Sequence, residues 1–136
     1  MTTATDTSRE APFFGALMWQ QLQEYSAKVD EALQPIGADL TRAQVQILDA
    51  VKNHASSSQT DLVALTGIDR STLADIVRRL VRKGLLQRQR NKQDARAYVV
   101  KLTDEGKKAL AAARAAIRPI DRAMRPQLLS TLQASA

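Results

Sequence analysis

Nine Lys and Arg side chains fall between Arg70 and Arg96 against two acidic residues, Asp75 and Asp94, a net +7 in a chain whose whole formal charge is +6. Cations gathered in this way suit a polyanion, because each one set against a phosphate releases a condensed counterion. The imbalance runs along the whole chain: residues 1–40 carry net −4, residues 41–100 net +6 and residues 101–136 net +4. Other chemistries are excluded by residue type. There is no cysteine, so no disulfide, thiolate metal site or thiol redox sensor can form. His54 is the sole histidine, and a zinc site would have to rest on several carboxylates. The five glycines, at 15, 37, 67, 84 and 106, are too widely spaced for a phosphate-cradling loop. The carboxylate pairs Asp30-Glu31 and Asp104-Glu105 are sequence neighbours, which point apart on a helix. With no nucleophile–base set in view, neither an enzyme nor a cofactor or metal is expected.

A length of 136 residues suits one domain. The longest apolar run, Phe13 to Trp19, is seven residues with Gly15 included, against the roughly 20 that a membrane span needs. Residues 1–11 lack a basic region followed by an apolar stretch, so no secretory signal is read and a cytoplasmic protein with no membrane partner is expected.

The elements that must position the cations follow from periodicity. Phe14, Met18, Leu22, Tyr25, Val29 and Leu33 form one stripe of a long helix that opens at Pro12 and stops at Pro35 and Gly37. The stripe is long for so small a protein, and Phe13, Leu17 and Trp19 widen it, so this helix is expected to pack against more than its own domain. Thr41 caps a second helix with Val45, Ile47, Leu48 and Val51 inward, and a polar break spans His54 to Ser58. Ser58 and Asp61 read as a capping box for a short third helix through Leu62 and Leu65. Gly67 suits the left-handed turn that ends it, and Asp69 caps the next helix. That fourth helix runs from about Arg70 to Lys83, with Leu73, Ile76, Val77 and Leu80 inward, and Gly84 stops it. The period then changes to two: Leu86 to Arg90 and Tyr98 to Leu102 alternate around a polar tip as a β-hairpin. Thr103 caps a fifth helix, in which residues 109–116 hold six alanines. Pro119 and Pro126 interrupt the pattern, so a separate last helix is expected to carry Ile120, Met124 and Leu128.

Helix, glycine turn, helix and basic hairpin is the order of a winged helix-turn-helix, a mainly α fold with a small β-hairpin wing. The major groove, about 12 Å wide, admits one helix, whose first turn reaches base edges. The passage Arg79-Leu80-Val81-Arg82-Lys83-Gly84-Leu85-Leu86-Gln87-Arg88 resembles the R-L-x-x-K-G-L-x-x-R passage of MarR-type (multiple antibiotic resistance regulator) proteins. Asp94-Ala95-Arg96, followed by Leu102-Thr103 and Gly106, is similar to that family's D-x-R…L-T-x-x-G wing motif. The resemblance covers roughly residues 12–130 and implies a bacterial, homodimeric, ligand-responsive transcription regulator. The whole of 1–136 is then one winged domain, with dimerisation helices at about 12–34 and 103–134 flanking a DNA-binding lobe at about 40–102. Three departures stand out: Ala95 where the wing often has Arg, Arg78 where many members are acidic, and a last dimerisation helix expected to be short or incomplete.

The residues keep more than one reading. The resemblance implies that Arg96 enters the minor groove, held by Asp94; the alternative is an exposed turn ion pair. Arg70, Ser71 and Thr72 lie where bases are read, although the hydroxyls could merely cap the helix. Asp75 could accept from a cytosine amine or only orient an arginine. Arg78, Arg79 and Arg82 could clamp phosphate, touch a partner chain or be solvated. Arg88, Arg90 and Lys92 on the wing suit phosphate. The resemblance also implies an effector crevice between the dimerisation helices and the lobe, with Met18, Trp19 and Tyr25 as candidates and core packing as their alternative. Arg78 and Arg82 favour an organic anion there, such as an aromatic carboxylate or its thioester. Without cysteine the peroxide-sensing branch is excluded, and with one histidine the zinc-sensing branch is disfavoured. The expected role is a repressor bound to a palindromic operator and released by effector. The rival roles are an architectural DNA binder without sequence preference and a winged-helix scaffold for protein.

Overall fold

The computed structural model describes residues 13–93 and 98–134. In chain order the elements are α1 (Phe14–Leu33), α2 (Arg42–Asn53), β1 (Ser57–Ser58), α3 (Gln59–Thr66), α4 (Arg70–Arg82), β2 (Leu86–Arg90), β3 (Tyr98–Leu102) and α5 (Asp104–Ala134). Local signals set most boundaries. The Thr41 hydroxyl accepts from the Gln44 N–H while the Gln44 side chain accepts from the Thr41 N–H. Ser58 and Asp61 make the same reciprocal pair at α3. Gly67 ends α3 at φ 73°, a conformation that costs a residue with a Cβ.

Two expectations are corrected. Within the span read as a polar break, Ser57 and Ser58 form a strand, with Ser57 opposite Val100 and Ser58 opposite Val99. The sheet therefore has three antiparallel strands in the order β1-β3-β2, with Leu86 opposite Leu102 and Arg90 opposite Tyr98. β3 buries the consecutive residues Val99 and Val100 rather than alternate ones; they point to opposite faces of the sheet, and of the two only Val100 belongs to the core cluster. The two expected C-terminal helices are one, because α5 runs through Pro119 and Pro126 without a break. Both prolines are exposed, as are Ala115 and Arg122, whose carbonyls lose their helical donors. Water can satisfy these carbonyls, so the helix continues.

The core is continuous from α1 to α5. Val29 and Leu33 of α1 meet Ile47, Leu48 and Val51 of α2, Leu62 of α3, Leu73, Val77 and Leu80 of α4, and Leu110 and Ala113 of α5. Of the two leucines expected on α3, Leu62 is buried and Leu65 is exposed. This core fixes α4 against the sheet. The first half of α1 takes no part in it: Phe13 is 88% exposed, Trp19 61% and Met18 51%.

Candidate nucleic-acid interface and effector cavities

The helix expected to read DNA is held from its first residue. Asp69 caps α4, its carboxylate accepting from the Thr72 N–H at 3.1 Å and the Ser71 hydroxyl at 2.9 Å. Hydrogen bonding to Thr72, then to Ser71, holds the Asp69 carboxyl below its ordinary value. Ser71 is thus engaged with the cap, and Thr72 contributes its backbone; both side chains remain exposed. The Arg70 guanidinium lies 3.4 Å from the Thr60 hydroxyl of α3, exposed at the start of α4.

A turn of 3.6 residues sets Ser71, Asp75, Arg78 and Arg82 along one face of α4, opposite the buried Leu73, Val77 and Leu80. On that face Asp75 pairs with Arg78 and with Arg79, each at 3.3 Å. The carboxylate therefore orients two arginines, and pairs this exposed contribute little stability. The positive residues of the segment stay in solvent: Arg70, Arg78, Arg79, Arg82, Lys83, Arg88, Arg90 and Lys92 are all exposed. Arg88 and Arg90 extend along β2, and Lys92 follows in the turn beyond it. Asp94 and Arg96 lie outside the described residues.

Sequence reasoning missed the neighbours of this surface. Ser58, Gln59 and Thr60 at the start of α3 line a cavity of about 570 Å³ with Arg88 and Tyr98 of the wing. β1 brings them there, and β1 itself went unread. Lys83 was missed as well. Its ammonium donates to the carbonyls of Ala38 and Asp39 and to the Gln44 side chain, at 3.3, 2.6 and 3.1 Å. It ties the end of α4 to the turn between α1 and α2.

Two further cavities lie along α5. One, about 510 Å³, is bounded by α1, α2 and α5 and lined by Tyr25, Arg42, Gln46, Asp49, Arg114, Arg118 and Asp121, with apolar Val29, Val45 and Ile117. Three guanidiniums face two carboxylates there, a formal net of +1. The Arg114 guanidinium bonds Asp49 through Nε at 2.8 Å and through a second, shorter contact, joining α5 to α2. The Tyr25 hydroxyl donates to Asp121 at 2.7 Å. Burial first, and then the Asp121 carboxylate, push the Tyr25 phenol up to about 12, so it remains a neutral donor. The other cavity, about 410 Å³, is a groove between α1 and α5 lined by Phe14, Met18, Leu22, Met124, Leu128 and Leu132, with Gln21, Tyr25, Asp121 and Arg125 at its edges. Of the expected effector residues, Tyr25 lines both cavities and Met18 lines the groove. Trp19 and Arg78 line neither. Trp19 is five residues from Phe14, about 140° from it round α1, and lies outside the groove lining. Arg78 sits on the outward face of α4.

A capped helix backed by a core, a cationic outer face and a basic hairpin define a winged-helix reader of DNA. A family model described as "MarR family" matches residues 38–97. The chain is 31% identical over 113 residues to the uncharacterized HTH-type transcriptional regulator YdcH of Bacillus subtilis, covering 80% of this chain and 76% of that protein. It is 30% identical over 106 residues to the multiple antibiotic resistance protein MarR of Escherichia coli, covering 78% and 72%. The structure of the PcaV transcriptional regulator from Streptomyces coelicolor with its natural ligand superimposes with a TM-score of 0.77 at 27% identity, over 98% of this chain and 91% of that one. The chain belongs to the MarR family of DNA-binding transcription regulators.

Proposed function

We propose that this protein is a homodimeric repressor that binds a two-fold-symmetric operator and is released by an organic anion. The observation that carries the reading is the solvent exposure of Arg70, Arg78, Arg79, Arg82, Arg88, Arg90 and Lys92 on the α4 and wing surface. Arg70 and Ser71 read bases in the major groove, Thr72 and Asp75 adjoin them, and Arg79, Arg88, Arg90 and Lys92 contact phosphate. The family's wing motif assigns Arg96 to the minor groove and Asp94 to its support. Apolar residues left bare at one end of the fold support the dimer. Phe13 and Trp19 of the α1 end and Leu129 of α5, 53% exposed, are the surface a second copy would cover. Two reading helices would then meet successive major grooves about 34–36 Å apart.

The crevice between α1, α2 and α5 is the seat for the effector. Its net positive charge favours a carboxylate on Arg42, Arg114 or Arg118, and its walls join the dimerisation helices to the lobe. A ligand that binds one arrangement of these elements better than another shifts the population between them, and a coupling of about 1–3 kcal/mol changes operator affinity 5- to 150-fold. The test is selection of bound duplexes from a random pool, followed by salt-titrated anisotropy on the winner. A symmetric winner with a log–log salt slope near −7, for about eight neutralised phosphates, supports the reading. Binding without sequence preference indicates an architectural protein, and weak salt-insensitive binding a protein scaffold.

A further inference from the structure

We propose that Lys83 is a positioning residue for operator reading: its ammonium clasps the end of α4 to the turn that follows α1, and this clasp sets the spacing of the two reading helices in the dimer. The inference rests on the dimeric reading above and adds a residue that fixes half-site spacing. Lys83 belongs to the cationic segment by sequence, yet its charge is engaged within the protein. An ammonium has three donors. Those of Lys83 reach the carbonyls of Ala38 and Asp39 and the Gln44 side chain, at 3.3, 2.6 and 3.1 Å, so none remains for a phosphate.

The acceptors are themselves held in place. Ile36 and Ala38 pack against the core. The Ile36 N–H donates to the Leu33 carbonyl at 3.0 Å and the Asp39 N–H to the Ile36 carbonyl at 3.4 Å, so the clasped turn moves with α1. Asp39 stands at φ 52°, a left-handed conformation that costs a residue with a Cβ. Gln44 is buried, and its Oε1 accepts from the Thr41 N–H at 3.3 Å as well as from Lys83, so the clasp includes the cap of α2. On the other side Lys83 leads to Gly84, whose carbonyl accepts from the Thr103 hydroxyl at 2.6 Å, and then to β2. The ammonium thus stands where α1, α2, α4 and the wing meet. Core packing retains α4 but is non-directional, whereas three directed bonds at its end fix its tilt. Arg70 lies thirteen residues before Lys83, about 20 Å at 1.5 Å per residue. A tilt of about 10° would carry the first turn of α4 about 3 Å, close to one base-pair step.

Anisotropy of the full-length protein on the selected duplex, and on copies with one base pair inserted or removed at the dyad, tests this. A misplaced base contact costs on the order of tenfold in affinity. With a contact misplaced in each half-site, the parent is expected to bind either altered spacing about 100-fold more weakly. Lys83→Met keeps the reach of the side chain and removes its donors. It should bring that ratio to about tenfold or less, with the salt slope changed by less than about 1. Gln44→Leu should lower the ratio in the same direction, and adding it to Lys83→Met should lower it little further, because both remove one contact. A loss of stability alone would weaken every spacing alike and leave the ratio at the parent's value. A Lys83→Met ratio equal to the parent's therefore overturns the clasp and leaves the symmetric reading standing. A salt slope reduced by about 2, one phosphate contact per chain, assigns Lys83 to DNA and also overturns it. Effects of Lys83→Met and Gln44→Leu that multiply fully mean separate contacts, with the same result. A parent indifferent to spacing removes the dimeric reading and the inference with it.

Discussion

Gly106 is the third helical residue of α5, where an alanine would ordinarily help. In a helix interior, Gly→Ala gains up to about 1 kcal/mol. Here a Cβ would stand 2.1 Å from the Leu85 carbonyl oxygen, 3.0 Å from its carbon and 3.2 Å from Leu102 Cδ2. The oxygen must retreat by about 1.3 Å to reach ordinary contact at 3.4 Å. It is backbone, and it accepts from the Thr103 N–H at 3.1 Å, so the retreat also breaks that bond. Overpacking costs about 1–3 kcal/mol and the lost bond about 1 kcal/mol, which together outweigh the helical gain. We expect Gly106→Ala to destabilise by about 2 kcal/mol in urea unfolding, measured at one protein concentration because association stabilises. Gly15→Ala is the control, since nothing lies within 4 Å of its Cβ and it should be neutral or stabilising by up to about 1 kcal/mol. Leu85 leads directly into β2, so Gly106→Ala should also move the wing and weaken operator binding. A Gly106→Ala protein as stable as the parent would refute the close approach of α5 to the β2 entrance.

Asp69→Ala should lower the melting temperature at pH 7. Because the folded carboxyl titrates below its ordinary 3.8, the parent's advantage should be lost as pH falls beneath that value, so melting curves of the two proteins should converge in acid. Tyr25 runs the other way. Its folded value of about 12 lies above the ordinary 10.0, so its contribution is complete below pH 10 and is lost as pH rises towards 12. Tyr25→Phe should lack that alkaline loss in a stability–pH profile. Pro119→Ala restores an N–H to the middle of α5 and should stabilise by about 1–2 kcal/mol in thermal unfolding followed by circular dichroism. Arg88→Ala should weaken all duplexes about equally and, because each dimer loses two phosphate contacts, reduce the salt slope by about 2, as read by anisotropy.

The residues that stop and start helices were legible because their partners lie three positions away. Thr41, Ser58 with Asp61, Gly67 and Asp69 all act as their local patterns require. The hairpin was legible from its change of period, and the cationic surface from composition. β1 was not, because two serines carry no alternation and their partners, Val99 and Val100, are more than 40 residues on. The continuity of α5 was hidden because proline reads as a stop unless its ring is known to face water. The effector seat was the least legible part. Tyr25 was found through family resemblance, but its partner Asp121 is 96 positions away, and the Asp49–Arg114 pair spans 65. Such pairs are created by the packing of α5 across α1 and α2, and no spacing along the chain announces them. Trp19 and Arg78 were attractive by residue type, yet helical phase turns both away from the cavities.

The stoichiometry of the protein–duplex complex tests the central claim most directly. Sedimentation equilibrium on a selected duplex should give two chains per duplex, assembled from a dimer already present in the free protein. A free monomer that binds as a single chain per duplex would contradict the account.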